Sequence, residues 1–271
     1  MTLATFAHSE VLAPFFLLVG MQLRSEITHI KQILLPTLAA IGGMIFPAAI
    51  YSAMNHNNGL SSGWPVVMPT DVALVMAVLL LLGKRVSIEL KTFMLAIAVA
   101  DDLFSLVILG VKYSDALKPE AALASIGAVV IGVVLWKTPY QIWLVRFVNF
   151  LVLPVYIFAN LYPILVNSFS FYSPLGNSIV LSRVFGKTFG IVLFTWLATK
   201  LRISHLPRGL KFADIIAGAQ LAGMGLAVSF LIANLTYADS IALGQAKEGL
   251  LLAALVSGGL GAVILIGARR D

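Results

Sequence analysis

Two adjacent carboxylates, Asp101 and Asp102, lie inside the stretch 88–111, which is otherwise almost wholly apolar. A charged side chain at bilayer depth costs at least about 2.5–3.5 kcal/mol on insertion scales, so such residues are usually functional. Two further charged residues, Asp71 and Lys187, lie in other apolar stretches. Three acids and one base in apolar segments are typical of a pathway for ions or protons through a membrane.

Carboxylate oxygens are hard ligands that suit a hard cation, and the same oxygens can hold a proton instead. Neighbouring residues on a helix point about 100° apart, so Asp101 and Asp102 cannot face one direction. One of them is expected to meet Lys187, while the other faces a cavity with Asp71 and Thr70. In the alternative interpretation, the charged residues form a purely structural buried salt bridge. Three acids and an interrupted helix argue against this alternative.

Composition places the chain in a membrane. Of its 271 residues 60% are hydrophobic and only 11% are charged, and the mean hydropathy is +0.98. A soluble domain carries about twice that charged fraction. The absence of cysteine excludes disulfides and thiolate metal sites. The first apolar segment, 11–23, precedes its basic residue, Arg24, which is the reverse of a cleavable signal peptide.

Apolar stretches of membrane-spanning length predict an all-α, polytopic bundle of about nine helices. They cover residues 10–23, 33–51, 64–82, 88–111, 119–136, 141–166, 178–200, 212–236 and 245–267. The alternate loops and the C-terminal tail on one side carry twelve Lys and Arg residues, whereas the other side carries three. This asymmetry predicts a cytoplasmic C-terminus and an external N-terminus, and it explains the net charge of +6 without nucleic acid.

Two spans contain residues that interrupt helices. The third span carries Pro65 and Pro69, and the eighth carries Gly218, Gly223 and Gly225. Proline removes a backbone donor and glycine weakens a helix, so both spans are expected to unwind where they line a polar cavity.

Each interrupted span is the middle one of three, and the two sets of three start on opposite sides of the membrane by the charge count. This pattern predicts a single transmembrane domain, 1–271, with inverted repeats at 33–111 and 178–267 and linking spans at 119–166. Counted along the spans at ~1.5 Å per residue, Asp71, Asp102 and Lys187 all lie about 10–15 Å below the outer surface.

Other motifs are weaker. Gly186-Lys187-Thr188 lacks the upstream glycine of a phosphate-binding loop, and prenyl transfer through Mg²⁺ would require an acid where Ser105 stands. The Gly-x-Gly-Asp element of aspartyl proteolysis is missing, so a membrane enzyme is not expected. Gly186-x-x-x-Gly190 and the glycines at 258–261 are interpreted as helix-packing positions.

Seven stretches resemble, in order, those of NhaA-type sodium/proton antiporters, the family that is itself a standard example of inverted repeats. They are FFLLVG at 15–20, AIGGMI at 40–45, TDVA at 70–73, AVADDL at 98–103, LP at 153–154 with FAN at 158–160, GKTFG at 186–190 and AGMGLAVSF at 222–230. Together they extend over nearly the whole chain.

The resemblance implies that Asp101 and Asp102 form the ion and proton site and that Lys187 pairs with Asp101. Asp71 and Thr70 would lie at the crossing of the broken helices and contribute to cation binding, supported by the breaks at Pro69, Gly223 and Gly225. It further implies exchange of cytoplasmic Na⁺ or Li⁺ for external protons in a bacterial inner membrane, serving pH and sodium homeostasis without a cofactor. The expected partners are these ions, the lipid bilayer, and a second copy or another chain that supplies missing spans.

The chain departs from the family in its length and its regulatory residues. Members usually have twelve spans, so this chain is expected to lack the first and two middle ones, together with the hairpin used for dimerisation. The family's cytoplasmic pH-sensing charges are replaced at Gln22, Ser25 and around Gln141-Ile142. An alternative function is therefore a degenerate homologue that no longer transports and has a structural or binding role.

Overall fold

A computed structural model of the protein describes residues 17, 20, 21, 30–113, 119–135, 141–166 and 172–268. Helices make up nearly all of this part, and no strand occurs in it. The predicted span 10–23 lies outside it apart from three residues, and so do Gln22 and Ser25.

Eleven α-helices are assigned in the described ranges, and several are joined by short 3-10 or π-helical turns. In chain order they are α1 (Ile30–Met54), α2 (Val72–Leu81), α3 (Ile88–Lys112), α4 (Pro119–Leu135), α5 (Gln141–Phe147), α6 (Leu153–Val166), α7 (Pro174–Leu181), α8 (Thr188–Lys200), α9 (Phe212–Leu221), α10 (Ala227–Thr236) and α11 (Ser240–Gly267). A 3-10 helix, Ser61–Val67, precedes α2, and π-helical turns at Val148–Val152 and Ser182–Lys187 join α5 to α6 and α7 to α8.

These helices occupy every predicted span from residue 33 onwards, which confirms the all-helical class. Four helical stretches are long and apolar enough to cross a membrane by themselves: Leu34–Met54, Ile88–Lys112, Pro174–Lys200 and Ser240–Gly267. The pair formed by Ser61–Val67 and α2 passes the same test, with a bend of 41° between its halves. The total of nine spans stays a prediction.

Side-chain caps define where several helices begin. Ser173 accepts a hydrogen bond from the amide of Gly176 at 3.0 Å ahead of α7, where Pro174 occupies the first turn and needs no amide partner. Asp239 caps α11 through the amide of Ala242 at 3.0 Å. Such caps satisfy amides that a helix cannot pair internally.

The chain divides into two compact units. One, here termed the crossing unit, comprises Lys31–Asp101 and Ser170–Asp271. Its apolar core contains buried side chains from α1, α2, α3, α8, α9 and α11, among them Leu79, Ile97, Ile191 and Leu221. Both predicted repeats therefore contribute to one core.

The other unit contains α4, α5, α6 and the part of α3 from Asp102 onwards. Many of its apolar side chains are exposed, such as Val134, Trp143 and Phe158. Exposed side chains of this kind on a helix are typical of a surface in contact with lipid.

In the crossing unit α1 and α8 touch backbone to backbone. A Cβ atom on Gly190 would overlap the carbonyl of Gly42, and one on Gly42 would overlap the carbonyl of Gly190. Gly186 lies against the backbone of Pro47 in the same interface. The packing role predicted for Gly186 and Gly190 is thus confirmed. Of the glycines at 258–261, Gly258 and Gly261 pack against Met224 and Leu221, whereas a Cβ on Gly259 would meet no atom within 4 Å.

Gly190→Ala should therefore destabilise the protein by about 1–3 kcal/mol, because the added methyl forces the two backbones apart. Gly259→Ala is the matched control, since its Cβ meets no atom within 4 Å. Thermal unfolding of both variants in detergent measures the effect. Equal melting temperatures would contradict the close approach of α1 and α8.

Candidate functional site

Two broken helices cross in the crossing unit. The first break lies at 68–71, between Ser61–Val67 and α2, and the second at 222–226, between α9 and α10. The amide of Asp71 donates to the carbonyl of Met224 at 2.9 Å, so the two breaks are joined by a backbone hydrogen bond. Both interruptions occur where the sequence predicts them.

The carboxylate of Asp71 faces the N-termini of both half-helices. Its Oδ1 accepts from the amide of Ala73 at 3.2 Å and caps α2, while its Oδ2 accepts from the amide of Ala227, the first residue of α10, at 3.5 Å. Helix N-termini carry partial positive charge, so one buried anion stabilises both. Asp71 thus has a capping role, and its binding of a cation stays a prediction.

Lys187 and Asp101 form a completely buried ion pair. Lys187 Nζ lies 2.9 Å from Asp101 Oδ2, and both side chains are 0% exposed. The ammonium also donates to the carbonyl of Met68 in the first break. The hydroxyl of Thr70 donates to the same Asp101 Oδ2 at 2.5 Å and lies 3.2 Å from the carbonyl of Ala222. The expectation that Lys187 and Thr70 face different aspartates is therefore wrong, because Asp101 meets both.

Asp102 is buried as well, with 4% of its surface exposed. It follows Asp101 on α3, so its side chain points about 100° away from that of Asp101. It belongs to the second compact unit, the one that contains α4, α5 and α6.

Arg183 is the residue at the crossing that sequence reasoning missed. Its side chain is 0% exposed. Both ends of its guanidinium donate to main-chain carbonyls: Nη1 to Gly223 (3.2 Å) and Gly225 (2.6 Å), and Nη2 to Val66 (3.1 Å) and Pro69 (3.1 Å). Nη2 also donates to the hydroxyl of Ser229.

The sequence does hold a signal for Arg183. It is a charged residue inside an apolar span, four residues before Lys187, which places both on one face of the helix. Both also lie in the π-helical turn Ser182–Lys187. Turns of this kind are rare and occur frequently at functional sites.

The predicted helix-breaking residues Pro69, Gly223 and Gly225 all supply carbonyls to Arg183. At Gly225 a Cβ atom would overlap the carbonyl of Pro69 and press on the guanidinium. The second break therefore needs glycine at this position.

Among the described residues, no group of three or more His, Asp or Glu side chains could hold a resident metal ion. The oxygens that the crossing unit offers are the Asp101 carboxylate, the Thr70 hydroxyl and backbone carbonyls, which suit a weakly held hard cation.

Comparison with known proteins identifies relatives of this chain. The model of the family described as "Na+/H+ antiporter 1" matches residues 1–145 and 138–265. A Na(+)/H(+) antiporter NhaA of Sodalis glossinidius is 33% identical, over 98% of this chain and 82% of the relative. The NhaA proteins of Citrobacter koseri and Mannheimia succiniciproducens are 31% and 30% identical, over 94% and 97% of this chain and 81% and 84% of their own lengths.

The two matched pieces overlap at 138–145, at the junction of the fifth and the sixth span predicted from the sequence. The alignment with the Sodalis relative also extends over 328 residues, more than the 271 of this chain. That two spans are missing stays a prediction, but the two matched pieces together cover nearly the whole chain. This polytopic membrane protein therefore belongs to the Na⁺/H⁺ antiporter 1 family, which includes its NhaA relatives.

Proposed function

We propose that the protein is a secondary transporter that exchanges cytoplasmic Na⁺ or Li⁺ for external protons across the bacterial inner membrane. The observation that carries this proposal is the ion pair of Lys187 and Asp101, fully buried where two broken helices cross. A charged pair in this position is expensive in an apolar span, and it lies beside unwound backbone of the kind that lines ion sites in transporters.

Asp101 has one oxygen engaged and one available. Its Oδ2 receives Lys187 and Thr70, whereas its buried Oδ1 has no hydrogen-bond partner within the described ranges. A buried carboxylate oxygen without a donor is strongly disfavoured unless a proton or a cation occupies it in part of the cycle. Oδ1 is thus suited to bind either one.

The coupling of the two ions follows from competition for Asp101 and Asp102. A Na⁺ ion bound to these carboxylates supplies the positive charge that Lys187 or a proton supplies in its absence. A Na⁺ ion and a proton cannot be held on these carboxylates at once, because their positive charges repel each other. Binding of Na⁺ therefore releases protons, and binding of protons releases Na⁺. This exclusion is the physical requirement for antiport.

The orientation in the membrane, the lack of a cofactor and the partners are proposed from the sequence. The basic loops favour a cytoplasmic C-terminus. No cofactor is required, since the chemistry is ion exchange rather than bond formation, and the protein acts as a transporter rather than an enzyme. A homodimer or a partner chain that supplies missing spans is compatible with the shortened length.

A homologue that has lost transport is the alternative. Buried charges destabilise a membrane protein unless function retains them, so a degenerate chain is expected to lose them early. Asp71, Asp101, Asp102 and Lys187 are all present and buried. No observation on this chain favours the degenerate alternative.

Asp102→Asn should abolish exchange without unfolding the protein, because the amide keeps the shape of the side chain but cannot form the anionic ligand. Sodium-dependent proton movement in everted membrane vesicles measures the effect. Glu89→Gln is a matched control on the same helix, outside its apolar centre, and should retain exchange. Exchange at the wild-type rate in Asp102→Asn would remove Asp102 from the site.

The buried ion pair predicts a strong coupling in a double-mutant cycle. Asp101→Asn leaves the Lys187 ammonium buried without its acid, which costs about 3–5 kcal/mol. Adding Lys187→Gln should recover part of that loss, so the double variant should be more stable than Asp101→Asn alone. Thermal unfolding of the four proteins gives the coupling energy, and a value near zero would mean that the two groups do not stabilise each other.

Competition for the carboxylates also sets the pH response. As the pH rises, fewer protons compete, so the KM for Na⁺ should fall by up to about tenfold per pH unit for each proton displaced. The maximal rate should change less, since the family's cytoplasmic charges are replaced at Gln22, Ser25 and the Gln141 region. Exchange rates over a range of Na⁺ concentrations at several pH values test this. A steep switch in maximal rate that persists at saturating Na⁺ would require a separate sensor.

A further inference from the structure

The guanidinium of Arg183 is bound to both broken helices at the same time. One nitrogen contacts the carbonyls of Gly223 and Gly225 in the second break. The other contacts the carbonyl of Pro69 in the first break and that of Val66 in the helix before it. The planar fork of arginine is what allows this, because its donors are held in a fixed geometry.

The carbonyls that Arg183 binds lie where the half-helices end. Ser61–Val67 and α9 both finish at the crossing, and the C-terminal carbonyls of a helix carry partial negative charge. Asp71 stabilises the N-termini of the other two half-helices. Arg183 and Asp71 therefore contact all four ends between them, and Lys187 adds one contact, to the carbonyl of Met68.

Pro69 connects this arrangement to the ion pair. It stands between Met68, whose carbonyl accepts from Lys187, and Thr70, whose hydroxyl donates to Asp101. Arg183 holds the carbonyl of Pro69 at 3.1 Å. The position of both groups against Asp101 is thus set by a contact of Arg183.

We infer that Arg183 is a positioning residue for cation binding: it fixes the crossing of the broken helices and thereby the Thr70 hydroxyl and the Met68 carbonyl, which leaves Lys187 able to release Asp101. This inference rests on the proposed exchange of Na⁺ for protons. In this arrangement the two buried cations have separate tasks, since Arg183 keeps its contacts throughout the cycle and Lys187 changes them.

The test compares the Na⁺ dependence of exchange in proteoliposomes for the wild type and three variants. Arg183→Lys keeps the charge but replaces the fork by a single ammonium, so the KM for Na⁺ should rise about tenfold while the maximal rate falls less. Ser229→Ala removes one acceptor of the same guanidinium, and its KM should rise by about two- to threefold.

Ser182→Ala is the matched control. Ser182 is buried in the same π-helical turn, and its hydroxyl has no hydrogen-bond partner in the described part of the chain. Its KM for Na⁺ should equal that of the wild type. Melting temperatures of all four proteins are recorded in parallel.

A role in stability alone would lower the melting temperature and leave the KM of the folded protein unchanged, and that result would overturn the inference. If Arg183→Lys yields no folded protein, Ser229→Ala decides by the same criterion. A wild type that exchanges no Na⁺ would instead overturn the proposed function, and this inference with it.

Discussion

In hydrocarbon every backbone group has to find its hydrogen-bond partner within the protein, and a broken helix makes this hardest at its broken ends. Two helices are broken here, so four ends meet at one crossing. The anion Asp71 binds the two N-termini, and the cation Arg183 binds the carbonyls at the two C-termini. The crossing depends on these two residues, because they satisfy the ends of both broken helices.

The unwound backbone also positions groups around the two other charged residues, Asp101 and Lys187. It exposes the carbonyl of Met68 and the hydroxyl of Thr70 toward α3, where Asp101 lies within hydrogen-bond distance of Thr70 and of Lys187. The four charged residues with contacts described at the crossing form two pairs. Asp71 and Arg183 bind mainly backbone groups, whereas Asp101 and Lys187 bind each other. In the proposed exchange, a cation that binds Asp101 displaces Lys187 from this carboxylate, while Asp71 and Arg183 keep their contacts with the helix ends. Under that proposal, the protein keeps its helix ends satisfied while the ion pair opens and closes.

Sequence reasoning locates the helices well, since each membrane-spanning segment has to be apolar along its length. It also locates both breaks, because Pro69 and the glycines at 223 and 225 have direct backbone effects. It misses Arg183 for a physical reason: the partners of Arg183 are mostly main-chain carbonyls, which leave no residue type to recognise. Helix periodicity alone does not decide which aspartate meets Lys187, since the rotation of α3 about its axis is set by packing against other helices. The family resemblance does predict Asp101, and the structure places Lys187 against it.

The division into compact units bears on how a shortened member of the family can keep its site. The two pieces of the family match meet at 138–145, between α4 and α5, and both helices belong to the second unit. The hydrogen bonds and the ion pair described at the crossing are formed by residues of 31–101 and 170–271. A loss of family segments at the join therefore removes none of those contacts. What such a loss can change is the surrounding of Asp102, because this residue alone among the predicted site residues belongs to the second unit. Selection on transport in a shorter chain is thus expected to act on Asp102 and on the unit to which it belongs, while the crossing itself is constrained by the need to satisfy its own backbone.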